Sequence, residues 1–261
     1  MAILVFDSGI GGLGVVAALN QLAPNLPLTY LADNGFFPYG EKPDETLLPH
    51  IIHVIGAAIE RQKPEAVVIA CNTASTIALA ALREAFALPV IGCVPPIKPA
   101  AAASRTRSIG VLATKATARR PYLNGLIETF AADCTVFTLG APTLAELAEQ
   151  KFRGTTVDVS TAIAPLFAQP GGEAIDAVAL GCTHYSFLLE ELRSLRPNIS
   201  WHDPAMPVAR QTLKIIEGLS LSQVPRTAHC TGATISPQLL APFALKPDDF
   251  RSNHDMIRSK I

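Results

Sequence analysis

Apolar residues fall along the chain in short solid runs. Each run is closed by a polar or glycine-rich turn and followed by apolar positions at helical spacing. Residues 66–75, AVVIACNTAS, show this best. The β-branched run Val67, Val68, Ile69 stops at Cys71-Asn72-Thr73, and an Ala/Leu-rich segment over 76–86 follows. That pattern predicts a buried strand, a tight polar turn and a helix. The same reading predicts strands at 3–6, 28–31, 89–93, 108–114, 135–139, 175–180, 199–202 and 226–230. It predicts helices at 15–24, 46–61, 119–130, 143–152, 158–168, 186–195, 208–219 and 237–243, and an irregular charged tail over 246–261. Strands that alternate with helices make an α/β protein with mainly parallel sheets.

The anchor pattern occurs twice. Residues 177–186, AVALGCTHYS, align with 66–75 without a gap, and Ala66/Ala177, Val67/Val178, Cys71/Cys182 and Ser75/Ser186 are identical pairs. Ligands of parallel α/β sheets bind beyond the carboxyl ends of the strands. Two such ends with one cysteine each point to a site built from two related halves. The proline-dense residues 94–99 read as the crossover between them.

Composition narrows the field. The chain has 261 residues, 49% of them apolar and 16% charged, which suits a packed α/β protein and excludes disorder. A net charge of −1 gives no electrostatic case for nucleic acid or an acidic membrane as partner. The start, MAILVFDSG, has no basic segment and runs into the first strand, so a signal peptide is not expected. The uncharged stretch 66–82 holds Asn72, Thr73, Ser75 and Thr76 and reads as strand plus helix, not a membrane span. Five cysteines without CxxC spacing argue against a disulfide framework or a zinc site and for a reduced, cytosolic protein.

Gly9, Gly11 and Gly14 spell G-x-G-x-x-G after the first strand, and Asp33 follows about 20 residues on, as in a dinucleotide-binding turn. Asp7-Ser8 count against that reading, because a carboxylate there repels a pyrophosphate. A nicotinamide-dependent oxidoreductase stays as an alternative. Residues 34–41, NGFFPYGE, read as a loop; Phe36, Phe37 and Tyr39 either form a lid or pin it to the core. His50 and His53 read as surface or capping residues, and Arg119-Arg120 as a solvated helix face.

Cys93, Cys134 and Cys230, with no polar neighbourhood in sequence, read as packing residues. Cys71 and Cys182 lie at the ligand face. One of them could be a nucleophile with His184 as its base. Alternatively, one as thiolate takes a proton from carbon while the other, as thiol, delivers one from the opposite face. Only the second explains the duplication. An unperturbed thiol titrates near ~8.5, and a helix N-terminus after each cysteine favours the thiolate. His184 could assist Cys182, and Asp7 could assist Cys71 if it lies beside it.

DSGIGG (7–12), PYGEK (38–42), ACNTAS (70–75) and GCTHY (181–185), in this order, closely resemble the bacterial glutamate racemases of the cofactor-independent aspartate/glutamate racemase superfamily. The resemblance implies interconversion of L- and D-glutamate without a cofactor or metal, supplying D-glutamate for peptidoglycan. It implies a small-molecule substrate, a cytoplasmic location and a homodimer. It also implies two pseudo-symmetric doubly wound domains, residues 1–97 plus 208–261 and residues 98–207, with the site in the cleft between them. Cys71 and Cys182 would then be the two acid/base residues, assisted by Asp7, His184 and Glu149. Asp7, Ser8, Tyr39, Gly40, Asn72, Thr73, Thr183 and His184 would hold the substrate, with Thr114 and Thr117 also in contact. The chain departs from the family pattern at Ser186 and Pro204 and in the aromatic bulk of NGFFPYG. The N-terminal extension of some homologues is absent, so activator binding there is not expected. A racemase of aspartate or a related acid, and a catalytically inactive relative that binds a protein partner, remain as alternatives.

Overall fold

Ten parallel strands form two sheets in the computed structural model, which describes residues 2–222 and 224–248. The strands are β1 (Ile3–Asp7), β2 (Leu28–Ala32), β3 (Ala66–Ile69), β4 (Val90–Gly92), β5 (Ser108–Ala113), β6 (Thr135–Gly140), β7 (Ala177–Gly181), β8 (Ser200–His202), β9 (Thr227–Cys230) and β10 (Lys246–Pro247). The first sheet runs β10-β9-β2-β1-β3-β4 and the second β6-β5-β7-β8. The cores β2-β1-β3-β4 and β6-β5-β7-β8 therefore share one order, and the anchor strands β3 and β7 occupy equivalent places. In each half the chain reverses direction across the sheet between the first strand and the anchor strand, the switch point where open α/β sheets take ligands.

Each sheet is covered on both faces because alternate residues of a strand point to opposite sides. Leu4 and Phe6 of β1 pack with Leu47, Ile51 and Ile55 of helix Asp44–Gln62 and with Ala78 and Leu82 of helix Asn72–Ala85. Ile3 and Val5 face Leu13, Val16 and Leu19 of helix Leu13–Leu22 and Val208 of helix Ala205–Ile215. In the second half Val178 and Leu180 pack with helices Thr143–Phe152 and Ser160–Phe167, and Ala177 and Ala179 with Ile97, Ala100 and Leu123. Among the described residues no helix is long and apolar enough to cross a membrane.

Several elements differ from expectation. The helix predicted over 76–86 begins at Asn72, because Cys71 Sγ accepts the Ala74 N–H at 3.5 Å and caps it. Asn72 and Thr73 thus sit in its first turn and not ahead of it. The predicted helix at 186–195 splits into a 3₁₀ segment, Thr183–Leu188, and helix Leu189–Leu195. The proline-dense crossover runs straight into helix Ile97–Ala103, which the sequence reading missed, since its prolines fall at the first turn where they are tolerated. Lys246–Pro247 pairs with β9 instead of being irregular, and residues 249–261 of the predicted tail lie outside the described residues.

Candidate active site

Phe6 of β1 is paired with Ile69 of β3, so the chain leaves both strands at the same level. Asp7-Ser8 thereby lie beside Cys71, with Ser8 Oγ 3.6 Å from Cys71 Sγ. In the second half Ala113 of β5 pairs with Gly181 of β7, which brings Thr114 out beside Cys182. Tyrosines fix both exits: Tyr30 donates to the Gly9 carbonyl at 2.7 Å, and Tyr185 to the Ala141 carbonyl at 2.7 Å and the Ala113 carbonyl at 3.1 Å.

The two strand ends meet across the halves. Thr183 Oγ1 donates to Asp7 Oδ2 at 3.0 Å. Thr73 Oγ1 lies 3.0 Å from Thr114 Oγ1 and 3.3 Å from Thr117 Oγ1. Glu149 Oε1 sits 3.3 Å from His184 Nε2 and accepts the Ile10 N–H at 3.3 Å. Phe37 packs on the His184 ring at 5.2 Å between centroids. Asp7, Cys71, Asn72, Thr73, Cys182, Thr183 and His184 are all buried. One donor in this closed site has no partner: Asn72 Nδ2. A buried unpaired amide is costly and marks a place for an acceptor.

Charge in the site is tuned by burial and by neighbours. Burial, reinforced by the Asp7 charge, pushes the Cys71 thiol up to about 12 against the Ala74 N–H and Ser8 hydroxyl; Cys182 adds to the rise. Burial also raises the Asp7 carboxyl, outweighing the His184 charge and the hydrogen bonds from Gly9 and Thr183. For His184 burial alone pulls downward, but hydrogen bonds to Cys182 and Glu149 and the Asp7 charge hold it well above its ordinary range. Burial lifts Glu149 as well, yet His184, Arg153 and the Ile10 N–H hold it below the usual carboxylate value. These surroundings favour the imidazolium form of His184 and the thiol form of Cys71.

The sequence pattern of the Asp/Glu/Hydantoin racemase family matches residues 12–206. The chain belongs to that family. It is 49% identical to the glutamate racemase of Granulibacter bethesdensis over 89% of this chain and 86% of that one. It is 44% identical to that of Sphingopyxis alaskensis over 93% and 94%. The structure of Escherichia coli glutamate racemase in complex with L-glutamate and the activator UDP-MurNAc-Ala superposes with a TM-score of 0.86 at 37% identity, over 95% of this chain and 97% of that one.

Within this racemase the residues expected at the site fall into one cluster, with particulars that differ. Gly40 packs on Thr114 so closely that a Cβ would lie 2.6 Å from the threonine Cβ. The Tyr39 hydroxyl is turned away and donates to Asp33 Oδ2 at 2.5 Å. Asp33 also has His50 Nε2 at 2.6 Å and accepts from Thr231 Oγ1 at 2.6 Å. Its oxygens are committed, so the carboxylate required by the dinucleotide alternative is unavailable to a ribose. Gly9 and Gly11 face Glu149, His184 and Thr183 and serve the approach of the two halves. The aromatic loop is pinned by its rings: Phe36 stacks on His50 at 4.0 Å and Tyr39 is buried. His50 is therefore a tether and not a surface residue.

Two further readings are corrected. Cys93 has a polar neighbour, since its thiol donates to Asn72 Oδ1 at 3.6 Å, which leaves Nδ2 as the unpaired end of that amide. Arg120 is no solvated helix residue. It precedes helix Pro121–Phe130, is buried, and bonds residues of the other half. Neither was readable from local pattern, because the partners lie 21 and more than 40 residues away.

Proposed function

We propose that this protein interconverts L- and D-glutamate by two-sided proton transfer at Cα, using Cys71 and Cys182, and supplies D-glutamate for peptidoglycan. The observation that carries the reading is the pair of cysteines at equivalent ends of β3 and β7, their halves bridged by Thr183 with Asp7 and by Glu149 with the Ile10 N–H. One sulfur, as thiolate, accepts the Cα proton; the other, as thiol, gives its proton to the opposite face of the carbanion. The S–H bond formed on one side balances the one broken on the other.

The Cα proton of an amino acid is very weakly acidic, so the carbanion needs aimed donors in a site that excludes water. Asn72 Nδ2 and the hydroxyls of Ser8, Thr73 and Thr117 supply donors, Thr183 and Thr114 hold Asp7 and Thr117 in place, and the loop at Tyr39-Gly40 closes the site. Cys71, held as thiol, begins as the acid. The substrate's ammonium offsets the charge that Asp7 and a thiolate would place together. His184 passes protons at Cys182, and Glu149 keeps it charged. Glutamate is favoured over aspartate because the relatives named above act on glutamate. Domain limits of 1–97 plus 208–261 and 98–207, a cytoplasmic location and a homodimer belong to the same reading.

Racemisation in deuterated water tests it. L-Glutamate should yield D-glutamate carrying solvent deuterium at Cα, and the values of kcat/KM in the two directions should be equal, because the enantiomers are isoenergetic. Cys71→Ser and Cys182→Ser should each reduce racemisation by at least about 100-fold, the lower end for loss of a general acid or base. Full activity in either variant overturns the two-thiol mechanism.

A further inference from the structure

Thr73 is gripped twice by the other half of the molecule. Its hydroxyl meets Thr114 and Thr117, and its carbonyl accepts from Arg120 Nη1 at 2.8 Å. The same Nη1 donates to Thr76 Oγ1 at 2.7 Å, and Nη2 to Asp44 Oδ1 at 2.5 Å. Thr73 and Thr76 belong to the helix capped by Cys71, and Asp44 opens the helix that follows the PYGEK loop. Arg120 follows the short helix Lys115–Ala118, which Thr114 caps. One guanidinium thus joins the second half to two of the three first-half segments that carry site residues, the Cys71 helix and the segment after Tyr39-Gly40.

We propose that Arg120 is a positioning residue that holds the cleft closed around the substrate by tying the Cys71 helix to the Cys182 half. The inference rests on the racemase reading above but concerns a residue outside its proton-transfer set. A planar fork suits the task, since it reaches a carbonyl, a hydroxyl and a carboxylate at once, which a lysine ammonium does not. Arg120 is 7% exposed, whereas Arg119 beside it is exposed, so the two adjacent arginines do different work. Arg120 also lines a cavity of about 590 Å³ between residues 40–44 and 115–121, so the space its side chain fills is reachable from solvent.

When the binding-competent state is only partly populated, apparent affinity falls by that fraction. Loss of Arg120 lowers the closed population of the free protein, and saturating substrate restores it. Arg120→Ala should therefore raise KM for glutamate by about tenfold or more while kcat stays within about threefold. Millimolar guanidinium, which enters the vacated space through the cavity, should bring KM back toward that of the parent protein; sodium chloride at equal ionic strength should not. Arg120→Lys should lie between the two, and it carries the test if the alanine variant does not fold. A KM unchanged in the variants, whatever their Tm, makes Arg120 merely structural and overturns the proposal, as does a fall in kcat at constant KM. The parent protein separates the two readings. If it racemises neither glutamate nor aspartate, the proposed function fails; if it racemises and the variants behave as it does, only the role of Arg120 fails.

Discussion

Thr183 Oγ1 and Asp7 Oδ2 are joined by a 3.0 Å hydrogen bond that spans 176 residues of sequence and both halves of the molecule. The other Asp7 oxygen accepts the Gly9 N–H at 2.7 Å, so the carboxylate is oriented from each side. Burial already raises its pKa, and the Thr183 hydroxyl works against that rise. Thr183→Val removes a donor that favours the charged form, so Asp7 should protonate at higher pH. The acid limb of the kcat/KM profile should then move upward in pH, while Thr183→Ser keeps the parent profile. An unmoved limb in Thr183→Val would show that Asp7 does not act in its charged form.

His184 and Glu149 should give the molecule a pH signature of opposite signs. The folded pKa of His184 is raised, so its contribution to stability is complete below its ordinary 6.5 and is lost as pH rises through the folded value. The folded pKa of Glu149 is lowered, so its contribution is complete above 4.5 and is lost as pH falls through the folded value. The pair should stabilise most between about pH 4.5 and 6.5. Glu149→Gln should lower Tm most in that window and shift the alkaline limb of kcat/KM downward, since His184 loses a partner for its proton. Melting curves from acid to alkaline pH check the first effect and pH–rate profiles the second.

Much of this arrangement is legible in the chain and some is not, for physical reasons. The strand ends at Cys71 and Cys182 announce themselves because a β-branched run stops at polar residues in both places, and the duplication predicts their symmetry. Asp7 is legible because it interrupts a glycine turn where a carboxylate has no other use. Glu149 is legible only through the family resemblance, since in the amphipathic helix Thr143–Phe152 its local pattern is that of any solvated residue until the fold sets it 3.3 Å from the imidazole. Arg120 and Asp33 fail in the same way: their roles lie in partners supplied by distant strands and helices. Local periodicity reports which face of an element is buried. It carries no information on which polar side chain the fold places opposite.

The glycine motif offers a sharp contrast between two of its own members. A Cβ on Gly11 would lie 2.5 Å from His184 Nδ1 and 2.6 Å from Thr183 Oγ1, distances that real Cβ atoms do not adopt. The neighbours cannot yield cheaply, because the Thr183 hydroxyl holds Asp7 and the imidazole meets Glu149. Gly11→Ala should therefore displace the two halves and cost about 100-fold in kcat/KM, the scale expected when reacting groups shift by about 1 Å. At Gly14, inside helix Leu13–Leu22, a Cβ meets only Ser186 Cβ at 3.8 Å, an ordinary contact. Gly14→Ala should keep full activity and gain about 0.5 kcal/mol of stability by restricting the unfolded chain. A dinucleotide turn would react otherwise, since its third glycine is needed for close helix–strand packing and its loss would be damaging. Parallel activity and urea-melting measurements on the two variants distinguish a loop that seats a partner half from one that seats a pyrophosphate.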